Sequence, residues 1–302
     1  MSAAKSPRVS IGLPVYNGEN YLEEAIESIL AQTFEDFELL IGDNASTDAT
    51  EEICQRYAVR DPRIRYVRNP ENIGAHPNYN RLFEFSSGEY FKWAAHDDVC
   101  HPDFLLKCIE VLDRDPSVVL CYPRTRIIDE EGRTIKSEDA RPKLASWKPS
   151  HRFLEAYRDI PTHPILGVIR ADVLRKTPLL GSYPSSDRVL MAELSLYGRF
   201  HEVPETLFFK RDHKRRFTRV HNLFRAHQAA VWHDPANAEK IIFPVWRQCA
   251  EYFHAINRPS LQWRDRIRCY LAMVGWLTRW RRLAGLLLDL LFAGRWIFRS
   301  VR

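Results

Sequence analysis

The run YFKWAA (90–95) ends on His96, Asp97 and Asp98. Neighbouring carboxylates repel, and each raises the other's pKa unless a positive group lies between them. The pair is therefore either solvated ahead of Pro102 or holds a cation. Hard carboxylate oxygens suit a divalent ion, Mg2+ or Mn2+, and such an ion held against a diphosphate would neutralise it. Other residues of suitable type stand far apart in sequence: Asp43 in FELLIGDNAS, Asp187 in SSDRVLMAEL, and Arg211 with His213 in FFKRDH. Each has an ordinary alternative. Asp43 suits an Asx turn, Asp187 a helix N-cap, and Arg211 and His213 the solvated basic run KRDHKRR.

The elements that must position these residues follow from apolar runs. VSIGLPV (9–15), FELLIGD (37–43), IRYVRN (64–69), GEYFKWAA (88–95) and SVVLCYP (117–123) read as buried strands. Helical patterns lie between them. Leu22, Ala25, Ile26, Ile29 and Leu30 share one face, with Asn20 and Glu23 spaced as a capping box. Asp48 and Glu51 open a second helix, and Pro102 a later one. Strand–helix alternation predicts an α/β fold, Rossmann-like, with a mostly parallel sheet covered by helices on both faces. Ligands of such sheets bind at the carboxyl ends of strands. Tyr16-Asn17, Asp43-Asn44 and His96-Asp97-Asp98 all fall on that edge. Beyond residue 123 the alternation fades. RTRIIDEEGRTIKS reads as a hairpin, ILGVIR as a strand, ADVLRKT and SSDRVLMAELSLYG as helices, and FHEVPETLFFKRDH as two short strands around a proline turn.

Several function classes are excluded. No GxGxxG follows the first strand and no Walker A motif exists, so a phosphate-cradling glycine loop is absent. Six scattered cysteines without a CxxC pair argue against zinc and a disulfide framework. The start MSAAKSPRVS lacks a signal-peptide core, and no run of about 18 apolar residues is present. The net charge of +5 is concentrated: residues 258–302 hold ten arginines against Asp265 and Asp289, leaving the rest slightly acidic. That pattern speaks against a nucleic-acid partner. The tail from 268 to 302, with arginine among Trp and Leu, suits either a helix at a membrane surface or helices packed on the main domain.

Taken together, the motifs resemble the inverting GT-A glycosyltransferases of family 2. The opening VSIGLPVYNGENYLEEAIESILAQTFEDFELLIGDNASTDAT, the block NPENIGAHPNYNRLFEFSSGEYFKWAAHDD, the segment SSDRVLMAEL and the element FFKRDH carry the likeness, across roughly residues 8–215. The resemblance implies a GT-A catalytic domain over 1–215, with a nucleotide-binding half (8–122) and an acceptor half (123–215), then a helical basic extension over 216–302. It implies that Asp43 recognises the base beside Pro14, Val15 and Tyr16. Asn72, Gly74, Asn78 and Asn80 would shape the sugar-nucleotide site. Asp97 would contact the ribose and, with Asp98, the metal-bound diphosphate, with His213 as metal or diphosphate contact and Arg211 at the phosphates. Asp187 would be the catalytic base. From the residues themselves, Glu193 reads as an alternative base or a helix-face acid paired with a cation, and His163 as an acceptor contact or a structural loop histidine. The chain departs from the family in one place: Ala95 stands where a first carboxylate is common, and His96 could replace it. The implied partners are a nucleotide-diphosphate sugar donor and a glycan or lipid-linked acceptor; a membrane surface is a partner only in the first of the two readings of the 268–302 tail. The implied location is cytoplasmic, extending to a membrane's cytoplasmic face. The alternatives are an inactive sugar-nucleotide-binding or scaffold protein and a nucleotidyltransferase, which would need a glycine-rich basic loop where PVYNGENY stands.

Overall fold

The computed structural model describes residues 6–138, 144–157, 162–214, 226–238 and 240–300. Strands β1 (Val9–Val15), β2 (Phe37–Asp43), β3 (Ile64–Arg68) and β4 (Tyr90–Trp93) alternate with helices α1 (Leu22–Leu30), α2 (Thr50–Arg60) and α3 (Ala75–Glu84). The four strands are parallel, in the order β3-β2-β1-β4. Every residue of β1 is buried, which is why its sequence is a continuous apolar run rather than an alternating one. The register aligns Val15, Asp43 and Arg68 at one sheet edge. Gly12 lies so close to the Phe91 ring that a Cβ would sit 2.9 Å from it.

Beyond β4 the sheet continues through β8 (Val168–Arg170), β6 (Val118–Ile128), β9 (Arg199–Arg211) and β5 (Val99–Cys100), with β7 (Thr134–Glu138) paired to β6. Helices α4 (Phe104–Arg114), α5 (Pro149–Ala156), α6 (Ala171–Leu174) and α7 (Ser186–Tyr197) complete this half. One face packs α1, α2 and α4 through Ile26, Ile53 and Leu105. The other packs Phe91 and Trp93 against α7 and, further along, Tyr252, Met273 and Trp276 of the C-terminal helices.

The parallel core and the β6–β7 hairpin match the sequence reading, and Gly132 supplies the left-handed turn residue (φ 79°). Five details differ. The expected fifth strand does not lie beside β4; β8 intervenes, antiparallel to both neighbours. The run 165–170 splits into a turn, His163–Leu166, and the short β8. FHEVPETLFFKR forms one strand, because the register jumps from Pro123–Val203 to Arg124–Thr206. Pro204, which has no N–H to give a ladder, is accommodated in that bulge. Finally, α1 makes no side-chain cap; its first turn closes on the Gly18 carbonyl, which accepts from Leu22 N at 3.1 Å. Helix α4 starts at Phe104, two residues past Pro102.

The C-terminal extension forms helices Pro244–Asn257, Trp263–Leu277 and Trp280–Ser300. Tyr252, Ile256, Met273 and Trp276 are fully buried in the core they share with α7. The expected boundary at 215/216 lies beside residues 215–225, outside the described residues.

Candidate active site at the strand ends

The edge is built from three groups of side chains. The first knots the loops after β1, β2 and β3. Asp43 is fully buried; Oδ1 accepts from Ser46 N (2.9 Å), and Oδ2 accepts from Tyr66 Oη (2.8 Å) and faces Arg68 Nε at 3.2 Å. Asn44 donates to Asn72 Oδ1 (2.8 Å) and to the Gly74 carbonyl (3.1 Å), and accepts from Asn69 Nδ2 and Ile73 N, each at 3.0 Å. Asn78 accepts from Asn69 Nδ2 (3.1 Å) and donates to the Gly42 carbonyl (2.7 Å). Arg81 closes the set on Asn69 Oδ1. Asn17 joins the first loop to the second by accepting from Thr47 N at 2.8 Å. Buried amides held this way cost little only because each polar atom has a partner. Pro14 and Val15 are buried under the knot, whereas Tyr16 stays 45% exposed at its mouth.

The second group answers why two aspartates can adjoin. Asp97 Oδ2 lies 3.0 Å from His213 Nε2. Asp98 Oδ1 accepts from Arg211 N at 2.9 Å. The Arg211 guanidinium donates to the Asp97 carbonyl and to the carbonyls of Asp129 and Glu130, each at 3.1 Å, and pairs with Glu24 of α1. It lies 4.7 Å over the Tyr21 ring. Lys92 is buried on β4, its Nζ bonded to the Trp93 and Leu166 carbonyls and 4.5 Å from the Phe104 ring. Lys92 and Asp98 line the same small cavity. Positive charge from Arg211 and Lys92 thus flanks the pair, and His213 adds a hydrogen-bond partner to Asp97. His96 abuts the β1 loop, where a Cβ on Gly18 would come within 2.8 Å of its ring.

Arg211 was expected at the phosphates. Its guanidinium is 1% exposed and spent on wall contacts, so its place in the structure is that of a brace behind Asp97. Asp43 likewise braces the turn at 43–46 rather than presenting an open carboxylate.

The third group surrounds Asp187, half-buried in the first turn of α7, with Oδ1 accepting from Arg188 N at 2.9 Å. The loop before it carries two left-handed residues, Leu179 (φ 61°) and Ser185 (φ 63°). Such residues persist only where neighbours hold them. Here α3 does so. Asn80 donates to the Leu180 carbonyl (2.8 Å) and accepts from Leu180 N (3.0 Å). His76 Nδ1 lies 2.6 Å from the Gly181 carbonyl and 3.3 Å from Ser186 Oγ, and the ring stacks 3.8 Å from His233. The short contact to a carbonyl places the proton on Nδ1. Burial drives the His76 pKa down to about 4, so the ring is neutral near pH 7. Gly74 (φ 91°) lets the chain pass close to the His233 carbonyl.

Asn80, expected at the sugar nucleotide, instead staples the Asp187 loop. Glu193 is enclosed on α7, bonded to Arg258 at 2.7 Å, and burial raises its pKa to about 7. His163 is buried with its ring 6.3 Å from that of Tyr122. His76, Asn69, Lys92 and Glu24 were not singled out in the sequence. A lysine inside FKW and a histidine two residues past a glycine were the visible signals.

Among the described residues no group of three or more His, Cys, Asp or Glu could hold a metal ion. Asp97 and His213 offer one oxygen and one nitrogen 3.0 Å apart. Two protein donors alone do not make a metal centre; a cation there would need phosphate oxygens and water to complete its shell.

A mostly parallel sheet whose carboxyl edge gathers an exposed aromatic, amide-locked loops and an acid–histidine pair is an α/β arrangement of the kind that takes ligands at its strand ends. A family model for "Glycosyl transferase family 2" matches residues 10–177, and the chain belongs to that family. An uncharacterised glycosyltransferase of Rickettsia prowazekii is 35% identical over 162 residues, 53% of this chain and 47% of that protein. An uncharacterised protein of Mycobacterium tuberculosis is 30% identical over 227 residues, 72% and 58% of the two chains. The chain thus spans about half the length of these curated relatives. In fold it is similar to S. aureus TarS (residues 1–349) in complex with UDP-GlcNAc, at 16% identity and TM-score 0.65, covering 93% of this chain and 75% of that one. It is also similar to a Pyrobaculum calidifontis mannosyltransferase in complex with GDP-Man and Mn2+, at 18% identity and TM-score 0.54, covering 96% and 87%.

Proposed function

We propose that this protein is an inverting glycosyltransferase that moves a sugar from a nucleotide-diphosphate donor to a hydroxyl of a glycan or lipid-linked acceptor. The observation that carries the reading is the Asp97–His213 pair beside the Asn44–Asn72–Gly74 knot, at the carboxyl edge of a family 2 sheet. Similar folds hold UDP, UDP-GlcNAc, or GDP-Man with Mn2+, which supports a donor of this class.

In this reading Tyr16 stacks on the base above Pro14 and Val15. Asp43, Asn72, Gly74 and Asn78 keep the base and ribose loops in place. Asp97 and His213 hold a divalent ion, Mg2+ or Mn2+, and Asp98 and Arg211 set the geometry of that pair. The bound ion supplies Lewis-acid stabilisation of the departing diphosphate. Asp187 takes the acceptor hydroxyl's proton as the new bond forms, which requires it within about 3 Å of that oxygen. Attack from the face opposite the leaving group inverts the anomeric centre, and no enzyme nucleophile is used. The six cysteines are free and buried, in keeping with a reducing compartment.

Asp187→Asn is the test. Nucleotide affinity by calorimetry is expected to hold while transfer falls about 100-fold or more, the contribution of a positioned base. Unchanged turnover would remove Asp187 from its role. The second reading, an inactive sugar-nucleotide-binding protein, is favoured by Ala95 at the position of a usual carboxylate. A panel of nucleotide sugars with Mn2+, read by donor hydrolysis and by thermal shift, separates the two: binding without turnover on any donor and acceptor would support it.

A further inference from the structure

Sixteen large apolar side chains are exposed among the described residues, and twelve lie between Trp232 and Leu291. They are not scattered along that stretch. In helix Trp263–Leu277, Trp263, Ile267, Leu271 and Val274 recur at four-, four- and three-residue steps and so share one face. The opposite face carries Cys269, Ala272, Met273 and Trp276, all buried in the core. In helix Trp280–Ser300 the exposed residues Leu283, Leu287, Leu290 and Leu291 make a second stripe, while Leu286 and Asp289 turn inward. Both helices are therefore seated on the protein by one apolar side and carry another apolar side outward.

The charge beside these stripes is predominantly positive. Arg264 and Arg268 flank the first stripe on exposed positions, with the Arg264 guanidinium 5.3 Å over the Trp263 ring. Residues 258–302 hold only two acids, and both have partners within the protein. Asp265 accepts from Ser150 Oγ at 2.6 Å and lies 3.8 Å from the Arg268 guanidinium, and Asp289 accepts from Val245 N at 2.8 Å at the start of helix Pro244–Asn257. A surface that combines exposed Trp and Leu with arginine complements a partner that is apolar within and anionic at its face. No helix among the described residues is long and apolar enough to cross a membrane.

We propose that the paired helices 263–277 and 280–300 seat this protein on the surface of an anionic phospholipid bilayer, lying in its interface. The apolar stripes enter the headgroup–acyl boundary and the arginines meet lipid phosphates. This inference stands on the C-terminal surface alone and holds whatever residue acts as the base.

The test uses the full chain and vesicles of phosphatidylcholine, alone or mixed with phosphatidylglycerol, read by co-sedimentation. Binding is expected to the mixed vesicles and to be about tenfold or more weaker on the neutral ones and at high salt. Ile267→Asp with Leu271→Asp places charge on exposed positions and is expected to lower binding about tenfold or more. Arg264→Gln with Arg268→Gln, a milder change, is expected to remove the preference for the anionic vesicles while the thermal melt is unchanged. Absence of binding to either vesicle would overturn the proposal, as would binding that both double variants leave intact. So would a dimer in analytical ultracentrifugation that the aspartate pair dissolves, since the face would then belong to a second copy.

Discussion

At the scale of single residues, the site depends on acids whose surroundings differ sharply. Asp97 pairs with His213 and is backed by Arg211. Asp97→Ala is expected to abolish Mn2+-dependent nucleotide affinity in calorimetry while the fold, read by far-ultraviolet circular dichroism, persists; intact affinity would take the cation away from this pair. Glu193 is the contrasting case. Burial lifts its pKa from 4.5 to about 7, against the pull of Arg258. The folded state thus binds this proton more tightly than the unfolded chain, so Glu193 lowers stability as pH rises from about 4.5 to about 7. Glu193→Gln, which cannot ionise, is expected to flatten that part of the stability–pH curve in denaturant titrations. A curve of unchanged slope would show that Arg258 fully compensates the burial. Asp97 and Asp98 were legible as candidates because paired carboxylates at a strand end invite a cation, whereas Asp187, in the first turn of α7, and His213 stood out only through the family likeness. Their partners were not legible. Nothing in local spacing tells that Arg211 reaches Glu24, 187 residues away, or that the Asn80 amide is spent on the Leu180 backbone.

At the scale of elements, the parallel half was readable because each buried strand announces itself as an apolar run and each helix by its 3.6-residue face. The second half resists such reading. β8 has three residues and is set between β4 and β6 by tertiary pairing alone. Pro204 reads as a turn by composition but sits in a bulge of a long strand. The element that joins the two halves functionally is α3. Its first turns hold the Asn44–Asn78 knot on one side and, through His76 and Asn80, the loop leading to Asp187 on the other. Asn80→Ala removes both bonds to Leu180 and releases a strained loop, costing about 1–3 kcal/mol of stability. Because that loop leads into the first turn of α7, kcat is expected to fall more than tenfold, an effect of misplacement, with the KM for the donor nearly constant. A rise in donor KM with kcat preserved would mean that Asn80 serves the nucleotide directly, as the family likeness implies.

At the scale of the whole molecule, the C-terminal helices are part of the fold before they are anything else. Trp276 is fully buried, its ring 5.8 Å from that of Tyr252, and helix Pro244–Asn257 presses Tyr252 and Ile256 against α7. Composition alone could not decide between helices packed on the domain and helices on a membrane, because the same stretch supplies residues for both faces. The structure divides them: Cys269, Met273 and Trp276 face inward, Trp263, Ile267 and Leu271 outward. This bears on how membrane attachment must be tested. Removing residues 263–302 would strip the outward stripes, but it would also uncover Tyr252, Ile256 and the core beneath them. Loss of a single buried large side chain costs about 3–5 kcal/mol, and whole domains hold about 5–15 kcal/mol in total. The truncated chain is therefore expected to aggregate or to lose its cooperative thermal transition, so its failure to bind vesicles would say nothing about lipid. Trp276→Ala should show the same weakness in milder form, lowering Tm by more than about 5 °C without touching the outward face. A soluble, cooperatively folding chain ending at Asn257 would show instead that the extension is an independent module clipped onto a complete catalytic domain.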